Sequence, residues 1–200
     1  ATRRMHDEGN TRPGASKAPP VDTGPMETGC GVFAAPPPVG PLWIAWVPAG
    51  LTVLHFGADP PEADRARFWP EGEGLAPRDI PAPLHDALTR YFAGEDEDPA
   101  TWPVRVGGSR FQRRAWTALR RVRRGEVRTY AGLAEDVGSP RATRAIGMAM
   151  GANPVSIAVP CHRILGAGLT LGGYGGGSDR KRFLLALEGV RVGGGQLELL

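Results

Sequence analysis

Residues 130–151 read YAGLAEDVGSPRATRAIGMAMG. Tyr130, Leu133, Ala134 and Val137 fall at i, i+3, i+4 and i+7, which places them on one face of a two-turn helix that Gly138 stops. Ser139 and Pro140 then supply an N-cap and a first-turn proline, so a second helix is expected from about Pro140 to Gly151. A short helix, a glycine turn and a second helix form a helix-turn-helix pattern, although many unrelated helix pairs share it. The second helix has an unusual surface. Ala142, Ala145, Gly147, Ala149 and Gly151 are small, and Arg141, Arg144 and Met148 lie on one side. Small residues let a backbone approach another molecule closely, and an arginine among them would project into whatever is approached. Tight helix packing with solvated arginines gives the same pattern.

Upstream, Phe111, Ala115, Trp116, Leu119 and Val122 make an apolar helical stripe. Arg113, Arg114, Arg120, Arg121 and Arg124 take the opposite face, and Gly125 ends the helix. Downstream of Asn153-Pro154, the run Val155–Val159 reads as a strand ending in Pro160-Cys161-His162-Arg163. A cysteine beside a histidine at a strand end is a candidate nucleophile, because the thiolate is the reactive form and a nearby base raises its fraction. The competing reading is a buried structural cysteine.

The other half is organised differently. Leu42–Val47 and Leu51–Phe56 are β-prone runs about Pro48-Ala49-Gly50 and predict a hairpin. Residues 59–80 read as an acidic linker. Leu84, Leu88, Tyr91 and Phe92 predict an amphipathic helix ending near Gly94, followed by an acidic loop at Glu95–Pro99. Residues 1–41 are rich in Gly and Pro, with a stiff extended Pro36-Pro37-Pro38, and read as a poorly ordered leader, with Gly31–Ala35 as its candidate docking stretch. The division expected is a leader at 1–41, an α/β unit at 42–106, a mainly helical unit at 107–192 and a tail at 193–200.

The chain has 200 residues, enough for one well-cored domain or a small domain beside a lesser one. No run approaches the ~18 apolar residues of a membrane span, and residues 1–30 lack a secretory pattern, so a cytoplasmic location is expected. With only Cys30 and Cys161, a disulfide scaffold and a four-cysteine zinc site are excluded, and Cys30, His55 and His85 are too scattered to predict a metal site. The net charge of +3 hides an asymmetry: residues 1–100 carry −7 and residues 101–200 carry +10. A basic half suits a polyanionic partner, although a solvated basic surface accounts equally for the charge alone.

The run Val159–Arg163, preceded by Gly151-Ala152-Asn153-Pro154, resembles the signature of the O6-alkylguanine-DNA alkyltransferases. The resemblance continues through Phe111–Trp116, Gly125–Tyr130, Ser139–Met150, Gly172-Gly173-Tyr174 and Lys181–Gly189, roughly 80 residues in the family's order. It implies an α+β fold, with a small ribonuclease-H-like N-terminal domain and a winged helix-turn-helix-like C-terminal domain. It implies single-turnover repair of O6-alkylguanine, and of O4-methylthymine, with no cofactor and no metal. The partner implied is double-stranded DNA, held through its minor groove by a monomer that flips the damaged base.

In that frame Cys161 is the acceptor, His162 takes its proton through a water, and Glu188 orients His162. Asn153 braces the site, and Tyr130 crowds the phosphate and protonates the leaving guanine. Arg144 fills the space of the flipped base. Ser139, Ala142, Thr143, Gly147 and Met150 face the DNA, and Val159, Tyr174 and Gly175 line the base pocket. Gly175 stands where several relatives carry a serine, and Gly151 where some carry a basic residue. A non-catalytic damage-binding relative would lack the cysteine. A cysteine hydrolase and a sequence-specific regulator are the readings from other classes.

Overall fold

The hairpin forms where the β-prone runs place it. In the computed structural model, which describes residues 26–59, 75–193 and 196–197, strand β2 (Pro41–Val47) pairs antiparallel with β3 (Gly50–Phe56), with a bulge between Ala45 and Trp46. Gly50 has φ 126°, and a Cβ there would lie 2.5 Å from the Pro103 carbonyl carbon, so this turn accepts only glycine.

The leader expected at residues 1–41 is corrected by strand β1 (Gly29–Ala34), which pairs antiparallel with β2 from Gly29↔Trp46 to Ala34↔Pro41. The sheet order is β1-β2-β3. The glycines here serve packing. A Cβ on Gly29 would stand 3.0 Å from the Trp46 ring, and one on Gly31 would stand 2.9 Å from the Arg78 carbonyl oxygen. Met26, Cys30, Phe33, Ala35 and Val39 are buried. The triple proline folds back as a turn closed by Val39 N–H donating to Pro36 O at 2.9 Å, so it is not an extended rod. Residues 1–25, the rest of the expected leader, and residues 60–74 of the expected linker lie outside the described residues.

Helix α1 (Ala82–Phe92) buries Leu84, Ala87, Leu88 and Tyr91, the face its spacing predicts. Helix α2 (Arg110–Leu119) opens on a capping box in which Ser109 and Gln112 satisfy each other's backbone N–H groups. It packs on α3 (Tyr130–Asp136) and α4 (Thr143–Gly151). Helix α4 begins three residues later than the Ser139-Pro140 signal predicts. Residues 139–142 form a turn closed by Ala142 N–H on the Ser139 carbonyl, 2.8 Å, and the serine hydroxyl caps nothing.

The expected strand Val155–Val159 is a turn. Residues 154–156 bond to Leu54 of β3, and then Val159 N–H returns to Val155 O at 2.8 Å, with Ile157 at φ 71°. Its apolar side chains are all buried, because the turn is inserted into the core. A short parallel pair, β4 (Arg128–Thr129) with β5 (Ile164–Leu165), and helix α5 (Ser178–Leu187) close the site from the other side. Across the boundary expected between the helical unit and the tail, β6 (Val192–Gly193) pairs with β7 (Gln196–Leu197). One continuous apolar cluster runs from β1 through α1 to α2–α5, so the halves share a core. Its indole donors are satisfied: Trp46 by Glu27 O, Trp102 by Glu97 and Trp116 by Ala149 O.

Candidate active site

Proline fixes the backbone ahead of Cys161, and Cys161–Arg163 form a single tight turn. This turn sends adjacent side chains in different directions. Cys161 stays partly exposed, while His162 and Arg163 are fully buried. Asn153 sits where α4 leads into the inserted turn and ties the two together. Its amide nitrogen donates to Val159 O at 2.7 Å and approaches Cys161 Sγ at 3.2 Å, and its oxygen accepts from Val155 N–H at 3.1 Å. Val159 therefore contributes its carbonyl, while its side chain lies in the core.

His162 Nε2 and Glu188 Oε1 are 3.0 Å apart. Glu188 follows the last residue of α5, and Gly189 (φ 85°) turns the chain away. Burial would raise the Glu188 carboxyl, but His162 and Arg163 beside it win and hold it well below the usual carboxylate range. Burial pushes the imidazole of His162 below its ordinary value, against the pull of Glu188. The histidine is therefore neutral at neutral pH, with its proton on Nε2 facing the carboxylate. Its Nδ1 is buried and has no hydrogen-bond partner. It is free to accept a proton.

Glu188 is also the node of a buried charged network. Arg163 Nε donates to its Oε2 at 2.8 Å and Arg163 Nη2 to its Oε1 at 2.9 Å. The same guanidinium reaches Asp98 Oδ1 at 2.9 Å and Val122 O at 2.7 Å. The Tyr91 hydroxyl donates to Glu188 Oε1 at 2.8 Å. Asp98 and Tyr91 come from the first half of the chain, so this network clamps both halves beneath the cysteine. Two arginines placed by spacing opposite the apolar stripe belong to the clamp. Arg120 donates to Ala100 O and Trp102 O, and Arg124 to Glu97 O, Gly94 O and Leu187 O.

Burial pushes the Cys161 thiol up from its ordinary value, opposed by the Asn153 contact, its own backbone N–H, and the nearby Lys181 and Tyr174. The resting group is the thiol, so a proton acceptor is needed. Lys181 is a site residue that sequence reasoning leaves unassigned. It is fully buried on α5, with Nζ donating to Ile164 O at 2.6 Å and to Leu171 O. Burial lowers its pKa to about 8, and the thiol's negative form would raise it. Lys181 stands over the Tyr174 ring, 6.0 Å from its centroid.

Tyr174 packs edge-on against Phe56, and its buried hydroxyl has no hydrogen-bond partner of normal geometry although the thiol interacts with it electrically. Gly176 lets the loop close here, since a Cβ would lie 2.7 Å from the Tyr174 ring. Gly175 beside it is open. Tyr130 begins α3, half-buried, with its hydroxyl pushed up by burial and by the charge of Cys161.

Thr143, Arg144, Gly147, Met148 and Gly151 form one outward face of α4. Ser139 and Ala142 lie in the turn before it, half-buried. Met150 does not share that outward face: it is 8% exposed and packs against the core. Among the described residues, no three His, Cys, Asp or Glu side chains gather as a metal would require.

A buried carboxylate–histidine pair behind a cysteine that follows a proline, joined to a helix pair with an open small-residue face, is the arrangement of a nucleophilic cysteine enzyme. Comparison with known proteins gives the family. Residues 110–190 match the DNA-binding domain of 6-O-methylguanine DNA methyltransferase. The methylated-DNA–protein-cysteine methyltransferase of Haemophilus influenzae is 40% identical over 157 residues, covering 78% of this chain and 84% of the relative. A crystal structure of Mycobacterium tuberculosis OGT in complex with DNA superposes with a TM-score of 0.69 at 38% identity, covering 80% of this chain and 92% of that one. The O6-methylguanine-DNA methyltransferase of Pyrococcus kodakaraensis superposes with a TM-score of 0.59 at 25% identity, covering 80% and 99%.

The chain belongs to the methylated-DNA–protein-cysteine methyltransferase family. Its activity is DNA repair by transfer of an alkyl group to a cysteine.

Proposed function

We propose that Cys161 is the alkyl acceptor and that O6-alkylguanine in duplex DNA, with O4-methylthymine as a further substrate, is the donor. The observation that carries this is the buried chain from Glu188 through His162 to an unpartnered Nδ1, one residue from a partly exposed thiol. Neutral His162 accepts the thiol proton through a bridging water, and Glu188 stabilises the imidazolium that results. Sulfur attacks the alkyl carbon, the carbon–oxygen bond breaks, and the electron pair leaves on the guanine, which Tyr130 protonates. Asn153 holds sulfur in register. The thioether formed on Cys161 is not hydrolysed back to the thiol, so each molecule acts once, without a cofactor.

The outward face of α4, part of a winged helix-turn-helix-like unit, enters the minor groove of the duplex. Arg144 occupies the space of the flipped base, which offsets an unstacking cost of a few kcal/mol. Ser139, Ala142, Thr143 and Gly147 approach the backbone, and Tyr174, Gly175 and the Val159 carbonyl border the base pocket. The ribonuclease-H-like first unit, extended to include β1, braces this acceptor unit, and the protein acts as a monomer in the cytoplasm at the nucleoid.

Methyl-labelled O6-methylguanine duplex tests the reading. Label should saturate at one per protein, and Cys161→Ser, which keeps the size but not the thiol's ionisation, should take up none while still binding DNA. Multiple turnovers, or transfer by Cys161→Ser, would contradict it.

A further inference from the structure

The outward face of α4 is nearly flat. Thr143, Gly147 and Gly151 present little or no side chain, and a Cβ built on Gly147 or Gly151 meets nothing within 4 Å. Two long side chains rise from it, Arg144 and Met148, one turn apart on the same side. Met148 is 72% exposed and, with Val32, is one of two large apolar residues exposed among the described residues. The other described methionines, Met26 and Met150, are buried. An isolated exposed apolar side chain needs no explanation on a random surface. This one stands beside the arginine on a face otherwise cleared of bulk.

We propose that Met148 is a second, apolar probe of the minor groove, packing against sugar walls and base edges beside the site where Arg144 enters. Four residues of helix span about 6 Å, and base pairs stack about 3.4 Å apart. Met148 therefore meets the duplex within about two base-pair steps of the point where Arg144 enters. A thioether offers no strong donor or acceptor, so the contact grips the duplex without reading sequence, as apolar wedges of minor-groove proteins do. Flexible methionine also tolerates the distortion that base extrusion imposes on the groove. Met148 acts on the duplex and not on the reacting atoms, so it is a positioning residue. The inference rests on the DNA-repair reading of α4.

Two readouts test it, on the full chain with a 20-base-pair duplex lacking damage. Anisotropy first establishes saturation, and methionine oxidation by dilute peroxide is then followed by peptide mass. Met148 sulfoxide formation should slow at least fivefold in the complex, while Met26 and Met150 stay unreactive with or without DNA. Met148→Ala should weaken duplex affinity by about tenfold, as loss of one buried methionine contact would. The slope of log affinity against log salt should stay unchanged, because an apolar contact releases no counterion. Transfer from free O6-benzylguanine should stay unchanged too. Saturated binding with Met148 oxidised at its free rate, or a Met148→Ala variant with wild-type affinity, would overturn the inference alone. Failure to bind duplex at any salt would overturn the functional reading beneath it as well.

Discussion

Glu188→Gln is the substitution whose consequences the structure fixes most tightly. The change keeps size and shape but removes a charge that faces Arg163 through both oxygens, His162 through Oε1 and the Tyr91 hydroxyl. Arg163 would keep Asp98 and Val122 O but would lose its principal counter-ion while fully buried. Removing one partner of a buried ion pair costs about 3–5 kcal/mol, mainly by stranding the other charge. A chain of this size has a total stability of about 5–15 kcal/mol and loses about 2–4 °C of Tm per kcal/mol. The variant should therefore fold at 25 °C and melt about 6–20 °C lower.

The difference should depend on pH. The Glu188 carboxyl is held below its ordinary range when folded, so its stabilisation is present above its unfolded pKa and is lost as pH falls through the folded value. Between pH 7 and 5 the gap between wild type and variant should be constant. Below about pH 4.3 it should narrow by up to 1.4 kcal/mol per pH unit. Transfer should fall about a hundredfold or more, because the amide no longer stabilises the imidazolium and is free to present its N–H to His162. Denaturant melts across pH and single-turnover transfer assays read both. A Tm within 2 °C of wild type, or a gap that widens in acid, would refute the assignment of Glu188 as the node of the clamp.

Arg144→Ala should slow repair in duplex DNA at least tenfold while leaving transfer from free O6-benzylguanine nearly unchanged, because a free base needs no plug; equal slowing on both would make Arg144 a structural residue. Lys181→Met should shift the midpoint of thiol alkylation by iodoacetamide upward and slow it about tenfold at pH 7, the effect of one pKa unit. In the wild type, the cation's help should fade as pH rises through about 8, where Lys181 loses its proton; identical pH profiles for the two proteins would exclude this role. Deleting residues 26–35 should destabilise the fold by several kcal/mol, because it takes Met26, Cys30, Phe33 and Ala35 out of the core and strips β2 of a partner. An unchanged cooperative melt would show that β1 is dispensable.

What the sequence discloses is local. The hairpin, α1 and the stripe of α2 follow from periodicity within a dozen residues, and Pro160–Arg163 carries the chemistry in four consecutive ones. Strand β1 is concealed because glycine and proline signal disorder in composition, whereas Gly29 and Gly31 are there to let Trp46 and Arg78 approach. Val155–Val159 carries the composition of a strand, yet burial on all sides favours an apolar run equally when it is folded as a turn. The clamp is out of reach of spacing. Tyr91 and Glu188 are 97 residues apart, and Asp98 and Arg163 are 65 apart, so nothing local marks Arg120 and Arg124 as partners in the clamp or Lys181 as buried. Met150 fits the same small-residue helix as Gly147, and only the packing of α4 on α2 decides which of them faces inward.

The central claim is that this chain ends its reaction alkylated on one particular sulfur. The direct measurement is intact mass followed by peptide mapping after incubation with excess duplex containing O6-methylguanine. The expected result is a gain of one methylene unit per molecule, carried entirely by the peptide containing Cys161, with Cys30 unmodified. No mass gain, more than one unit per chain, or modification on Cys30 would contradict it.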